Sequence, residues 1–360
     1  MEHIHIELDG YNASRPMVIA SKVDKVNVKR FIRALADSNI TIGALIDDAL
    51  PYVNPNEIER LAGLFRWREC DSIIALGGEA VVNIAKAINL KISGFEVESP
   101  LKIDQQLKPL VYIATERING HEVTNTINID GKTLHSDFLY PDIVCIDNRM
   151  ISAKRNFNSL IFAAFDSLAH CIEGAETAYG NPFVDASAFS AIRLIVDNLK
   201  IIIKKPNDKK AGVGLANGIA IAGTIRSNTK EHVCCLCSGM LANETGLPQG
   251  LFAGMLLAPS LQYKMDNGME IRHDLLLAIA GTEQFCSTPK DDKITSAIEE
   301  IRKLTNSLEN IIPKSLHELN VQEHTLAKTA KNVHGISEGK IDEDFCYNFL
   351  QKTWRKGYEI

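Results

Sequence analysis

Cys70-Asp71-Ser72-Ile73-Ile74-Ala75-Leu76-Gly77-Gly78-Glu79-Ala80-Val81-Val82-Asn83-Ile84-Ala85-Lys86 joins a short continuous apolar run to a glycine pair and then to a helical stretch. A run such as Ser72 to Leu76 suits a strand buried on both faces of a parallel sheet. The glycines allow a tight turn in which the backbone can approach a pyrophosphate, and the following helix start offers free N–H groups at the positive end of its dipole. A Gly-Gly pair after a strand is also what an ordinary turn looks like, so the neighbouring sequence decides between the two.

Upstream and downstream the same alternation repeats. Apolar runs at 17–20, 41–46, 110–114 and 143–146 read as further buried strands. Val28, Phe31, Ile32 and Leu35 share one helical face, as do Ile58, Leu61, Ala62 and Phe65, with Asn54-Pro55-Asn56 as the start signal of the second helix. Ile127 and Ile129 alternate with polar residues before Asp130-Gly131, which predicts a hairpin. Beyond about residue 150 the strand signals stop, and helical periodicity covers 159–175, 182–200, 211–227, 231–244, 249–264, 289–307 and 342–355. The expectation is an α/β N-terminal doubly wound nucleotide-binding domain over residues 1–150, followed by an all-helical C-terminal domain over 151–360.

Composition bounds the function. A chain of 360 residues suits two domains, and 45% hydrophobic with 23% charged residues is ordinary for a globular protein. A net charge of −6 argues against nucleic acid and anionic membrane as partners. No apolar run approaches the roughly 20 residues that span a bilayer, and the acidic start MEHIHIELDG lacks a signal peptide's apolar core. These features predict a cytoplasmic protein acting on a small molecule. Its 8 cysteines then read as free, mostly buried thiols, and the cluster Cys234, Cys235, Cys237 lacks the spacing of a structural zinc site.

Asn54-Pro55-Asn56, Cys70 to Gly78 and Ala85-Lys86-Ala87-Ile88 resemble, in order, the NPT…CDxIIAxGGGSxxDxAKAI pattern of the iron-containing alcohol dehydrogenase family. Gly120, Glu122, Val123 and Thr124 are similar to its TTAGTGSEVT, and Tyr140-Pro141-Asp142-Ile143 to its LPDVAIVD. Phe165 to Glu173 is similar to its MDALTHAIE, Asn181 to Ala186 to its NPFTDA, and Leu247 to Gly250 to its PHG element. The resemblance runs from about residue 15 to 265. It implies hydride transfer between NAD or NADP and an alcohol or aldehyde, a divalent iron or zinc that polarises the substrate oxygen, and a homodimer. Gly77, Gly78, Glu79, Ala80, Asn83, Thr115, Arg117, Thr124 and Lys132 fall where the family binds its cofactor, Lys132 with an offset of one residue.

The resemblance breaks where the chemistry should be. Of the family's one Asp and three His ligands, Asp166 and His170 match, and their spacing puts both on one helix face. The third position falls on Cys235, with His232 the nearest imidazole, and the fourth falls on Gln249. The expected metal set is therefore Asp166, His170, His232 and Gln249, with Cys235 as the alternative third ligand for zinc, His170 and His232 as catalytic candidates, and the metal held weakly or not at all. A further family histidine falls on Gly239. In the phosphate loop the third Gly becomes Glu79, the Ser becomes Ala80 and the Asp becomes Asn83. The family's NAD-favouring Asp falls on Ser21 or Lys22, and a lysine there tolerates a 2′-phosphate, which tilts the expectation toward NADP. Two other readings stay open: a degenerate, non-catalytic relative used in binding or assembly, and a non-redox NAD and metal enzyme on the same fold.

Overall fold

A computed structural model describes the chain except residues 1–2, 37, 51, 97–102, 116–119, 121–122, 130–131, 151–156, 178–179, 231 and 357–360, together with the side chains of 132, 133 and 356. The chain forms two compact units, residues 1–156 and 157–360.

In the first unit, β1 (Pro16–Ser21), β2 (Ala44–Ala49), β3 (Ser72–Gly77), β4 (Leu110–Ala114) and β7 (Ile143–Ile146) form one parallel sheet in the order β2-β1-β3-β4-β7. Alternate residues Val18, Ala20, Ile74, Leu76, Val111 and Ile113 pack with Ile4 and Leu8 of α1 (Ile4–Gly10) and with Val28 and Phe31 of α2 (Lys25–Ala34). The other parity of β3 is equally buried, and α4 (Glu79–Ile92) packs on β3, β1 and β4 and against α3 (Pro55–Trp67). Asn54 caps α3 by accepting from the Glu57 N–H at 3.2 Å, with Pro55 in the first turn. A two-stranded hairpin, β5 (Thr126–Ile129) and β6 (Lys132–His135), pairs Ile129 with Lys132; the Asp130-Gly131 turn lies outside the described residues. Strand β2 begins three residues later than its apolar run suggests and continues into Asp47 and Asp48. It is an edge strand of alternating burial, so one side tolerates charge that a central strand would exclude.

Among the described residues the second unit is helical. Its central helix α5 (Phe157–Thr177) packs against α6 (Pro182–Lys204), α7 (Lys209–Asn228), α8 (Val233–Thr245) and α9 (Gln249–Asp266). Asn181 caps α6 through the Phe183 and Val184 N–H groups. Short helices α10 (Leu275–Ala280) and α11 (Thr282–Ser287) lead to α12 (Lys293–Asn306), α13 (Glu323–Ile336) and α14 (Glu343–Lys356). Periodicity predicts no helix over 308–341, yet α13 lies there; its buried face is the sparse set Leu326, Thr329, Ala330 and Val333. No helix among the described residues is long and apolar enough to cross a membrane.

Candidate functional site

The sheet order places β1 and β3 side by side at the point where the strand order reverses direction, and in open α/β sheets ligands bind beyond the carboxyl ends of such a pair. Beyond β3, Gly77 and Gly78 lead into α4, with Gly78 extended at the helix cap. Gly77 is required by close approach: a Cβ there would lie 2.7 Å from Val81 Cγ2, a clash that would push the first turn of α4 off the strand end. Tyr112, fully buried on β4, donates its hydroxyl to the Gly77 carbonyl at 2.5 Å and fixes the turn from the other side. Beyond β1 stands Asp24, buried, accepting from the Ser21 hydroxyl at 2.5 Å and from the Asn27 amide at 3.4 Å. Its carboxylate would be 3.4 Å from a Cβ on Gly77, so it lies directly beside the glycine turn. Asp24 lies two to three residues beyond Ser21 and Lys22, where the family pattern places its Asp.

The remaining expected cofactor residues divide. Glu79 and Ala80, both half-buried, form the first turn of α4. Asn83 is buried, and its carboxamide oxygen accepts the Asn128 N–H of β5 at 3.3 Å, tying the helix to the hairpin. Thr115 and Thr124 are buried. Lys86, which the sequence reading counted only as part of the motif, is buried and donates to the Thr124 and Thr126 carbonyls at 2.7 and 2.8 Å. It secures the hairpin against α4. Arg117 lies outside the described residues, as does the side chain of Lys132.

Glu79 has a definite electrostatic consequence. A carboxylate in the first helical turn stabilises the helix by about 0.3–1 kcal/mol, but it occupies the positive end that a pyrophosphate would use. Replacing Glu79 by Gln is expected to tighten NADH binding about five- to tenfold, the equivalent of roughly 1 kcal/mol. Fluorescence titration of NADH reads this directly, and an unchanged affinity would remove Glu79 from the phosphate site.

In the second unit Asp166 and His170 lie side by side on α5, with Asp166 Oδ1 and His170 Nε2 3.6 Å apart. A third residue joins them. The guanidinium Nη2 of Arg226, in the last turn of α7, donates to Asp166 Oδ2 at 2.5 Å and contacts His170 Nε2. A guanidinium has only donors, so His170 accepts through Nε2. Gly174, one turn after His170, lets α7 approach: a Cβ there would be 2.5 Å from Ile225 Cγ2, next to Arg226. The sequence marks the residue but not its partner. Arg226 is the one charged residue between 211 and 229, at the end of an otherwise apolar and small-residue helix.

Of the expected metal ligands, Asp166 and His170 are brought together. Among the described residues no three His, Cys, Asp or Glu side chains come together in a way that could hold a metal ion. His232 stands at the position before α8 without a side-chain cap bond, its Nδ1 3.9 Å from Glu173 Oε1. Burial, reinforced by nearby Lys264 and opposed by Glu173, holds its imidazole below the usual histidine value. Glu173 organises that end of the helix, accepting from the N–H groups of Cys234, Cys235 and His232 at 2.7, 3.0 and 3.3 Å. Cys235 is buried there. Gln249 opens α9 with its carboxamide beside Gly239, where an added Cβ would be 3.8 Å away. Of the residues expected to hold the iron or zinc, only Asp166 and His170 stand together, and the Arg226 guanidinium bonds to both.

Residues 1–148 match the family described as iron-containing alcohol dehydrogenase, and residues 160–341 match the C-terminal domain of the Fe-containing alcohol dehydrogenase family. The probable alcohol dehydrogenase EutG of Escherichia coli (strain K12) is 27% identical over 225 residues, which cover 59% of this chain and 57% of EutG. The crystal structure of a 1,3-propanediol oxidoreductase superposes with a TM-score of 0.83 at 19% identity, covering 98% of this chain and 95% of the other. That of sulfoacetaldehyde reductase from Bifidobacterium kashiwanohense in complex with NAD+ superposes with a TM-score of 0.77 at 19% identity, covering 98% and 94%. At these identities the structural likeness establishes the shared architecture.

Proposed function

From the premise that this chain belongs to the iron-containing alcohol dehydrogenase family, we propose that it binds NAD at the β1–β3 junction and transfers a hydride between the nicotinamide and a small alcohol or aldehyde. The observation that carries this reading is the Gly77-Gly78 turn at the strand-order reversal, backed by Tyr112 and flanked by Asp24. An acidic side chain beside the glycine turn suits a ribose diol, which can donate to it, and opposes a 2′-phosphate by like charge. Asp24 thus reverses the tilt toward NADP that Lys22 had suggested. The nicotinamide supplies the redox chemistry, and the protein supplies position and field.

The expected result is NADH binding at least tenfold tighter than NADPH binding, a difference of about 1.4 kcal/mol. Asp24→Asn should narrow that gap. Oxidation of bound NADH by a panel of short aldehydes then tests transfer. Absence of any dinucleotide binding at millimolar cofactor would sink the oxidoreductase reading. It would favour the second one, a non-catalytic relative, for which the acidic Glu79 at the helix start is the specific motive.

A further inference from the structure

We infer that Arg226 replaces the metal ion of this site: its guanidinium, clamped between Asp166 and His170, is the resident cation, and the chain has no divalent metal there. Three observations point the same way. The guanidinium bonds to both residues that would otherwise be the first two metal ligands, so a cation at that position would meet a fixed positive charge. No further His, Cys, Asp or Glu among the described residues completes a set around them. The contact is also built into the helix packing, because Gly174 admits α7 beside Ile225, and it is enclosed: the side chains of His170, Asp166 and Arg226 are 4%, 13% and 17% exposed.

The charge logic explains why the two ligands persist without a metal. A buried carboxylate is costly unless a cation compensates it. An ion does so in a metal site; here a planar guanidinium does, through charge-assisted hydrogen bonds that need no ligand geometry of higher order. Two ligands at i and i+4 alone are too few for a tight site of tetrahedral or octahedral type.

The test does not depend on turnover, so it separates this inference from the oxidoreductase reading, which stands or falls on NADH binding. Full-length protein is purified without chelators from culture supplemented with zinc and iron, and its metal content is measured; well below 0.1 metal per chain is expected. Thermal melting is then followed with and without Zn2+ for the unmodified protein, Arg226→Ala and Arg226→Ala/Asp166→Asn. Millimolar Zn2+ should leave the Tm of the unmodified protein in place and raise that of Arg226→Ala measurably, because removing the guanidinium exposes Asp166 and His170 as a weak two-ligand site. The double variant should lose that rise. Near-stoichiometric metal in the unmodified protein overturns the inference, and so does a Zn2+ effect that fails to distinguish it from Arg226→Ala. Should Arg226→Ala not fold, the metal content of the unmodified protein decides alone.

Discussion

Gly250→Ala is expected to destabilise the helical unit by about 3 kcal/mol or more, at the upper end of overpacking effects. Gly250 is the second residue of α9, and a Cβ on it would fall within contact distance of the Phe162 carbonyl of α5. The obstacle is backbone rather than the end of a mobile side chain, so relief requires the two helices to separate. Both bear on the site: α5 carries Asp166 and His170, and α9 begins with Gln249. Urea unfolding should show a clearly lower midpoint for Gly250→Ala. In contrast Gly212→Ala, at a helical glycine with open space around its Cβ position, should change stability little or raise it slightly. A loss below about 1 kcal/mol at Gly250 would mean that α5 and α9 are not held at this distance.

Lys264→Met is expected to cost roughly 3–5 kcal/mol at neutral pH, the usual consequence of removing one partner of a buried ion pair. Lys264 is buried on α9, with its ammonium 2.7 Å from Glu176 and 4.0 Å from Glu173 of α5. Burial alone would lower its value, but the Glu176 and Glu173 carboxylates outweigh it and hold it above the ordinary lysine range. Methionine keeps the length and removes the charge, leaving two carboxylates without their ammonium. Burial already holds the Glu176 carboxyl above its ordinary value even with Lys264 present. An acid whose folded value is raised keeps its proton longer in the folded state, so its stability contribution falls as pH rises from the unfolded value through the folded one. The defect in Lys264→Met should therefore be largest near pH 8 and shrink toward pH 5, and Glu176→Gln in the same chain should recover part of it at pH 8. Denaturation midpoints for the single and double variants at both pH values check this. A pH-independent loss would mean that the lysine contributes by packing its stem rather than by charge.

Most of the architecture was legible in the sequence because it rests on local repetition. Continuous apolar runs ending at Gly77-Gly78 identify central strands, and three- and four-residue periodicity identifies α3 and α6, each opened by an Asn-Pro cap. The misreadings came where local pattern and environment part company. Strand β2 carries acids because it lies at the sheet edge, and α13 hides a narrow buried face among polar residues. Asp24 was invisible as a neighbour of the glycine turn because its position beside Gly77 depends on how β1 and β3 pair, not on spacing within a motif.

The sequence by itself determined the division into a parallel α/β unit and a helical unit, the glycine turn, and the loss of two metal-ligand identities at Cys235 and Gln249. Only the tertiary structure decided which cation Asp166 and His170 meet. Arg226 reads in sequence as a charge at a helix end, and nothing in its neighbours relates it to Asp166, sixty residues earlier. That relation exists because Gly174 lets α5 and α7 approach closely. Local propensity can be read along a chain, but which charge compensates a buried carboxylate is settled by packing between distant segments.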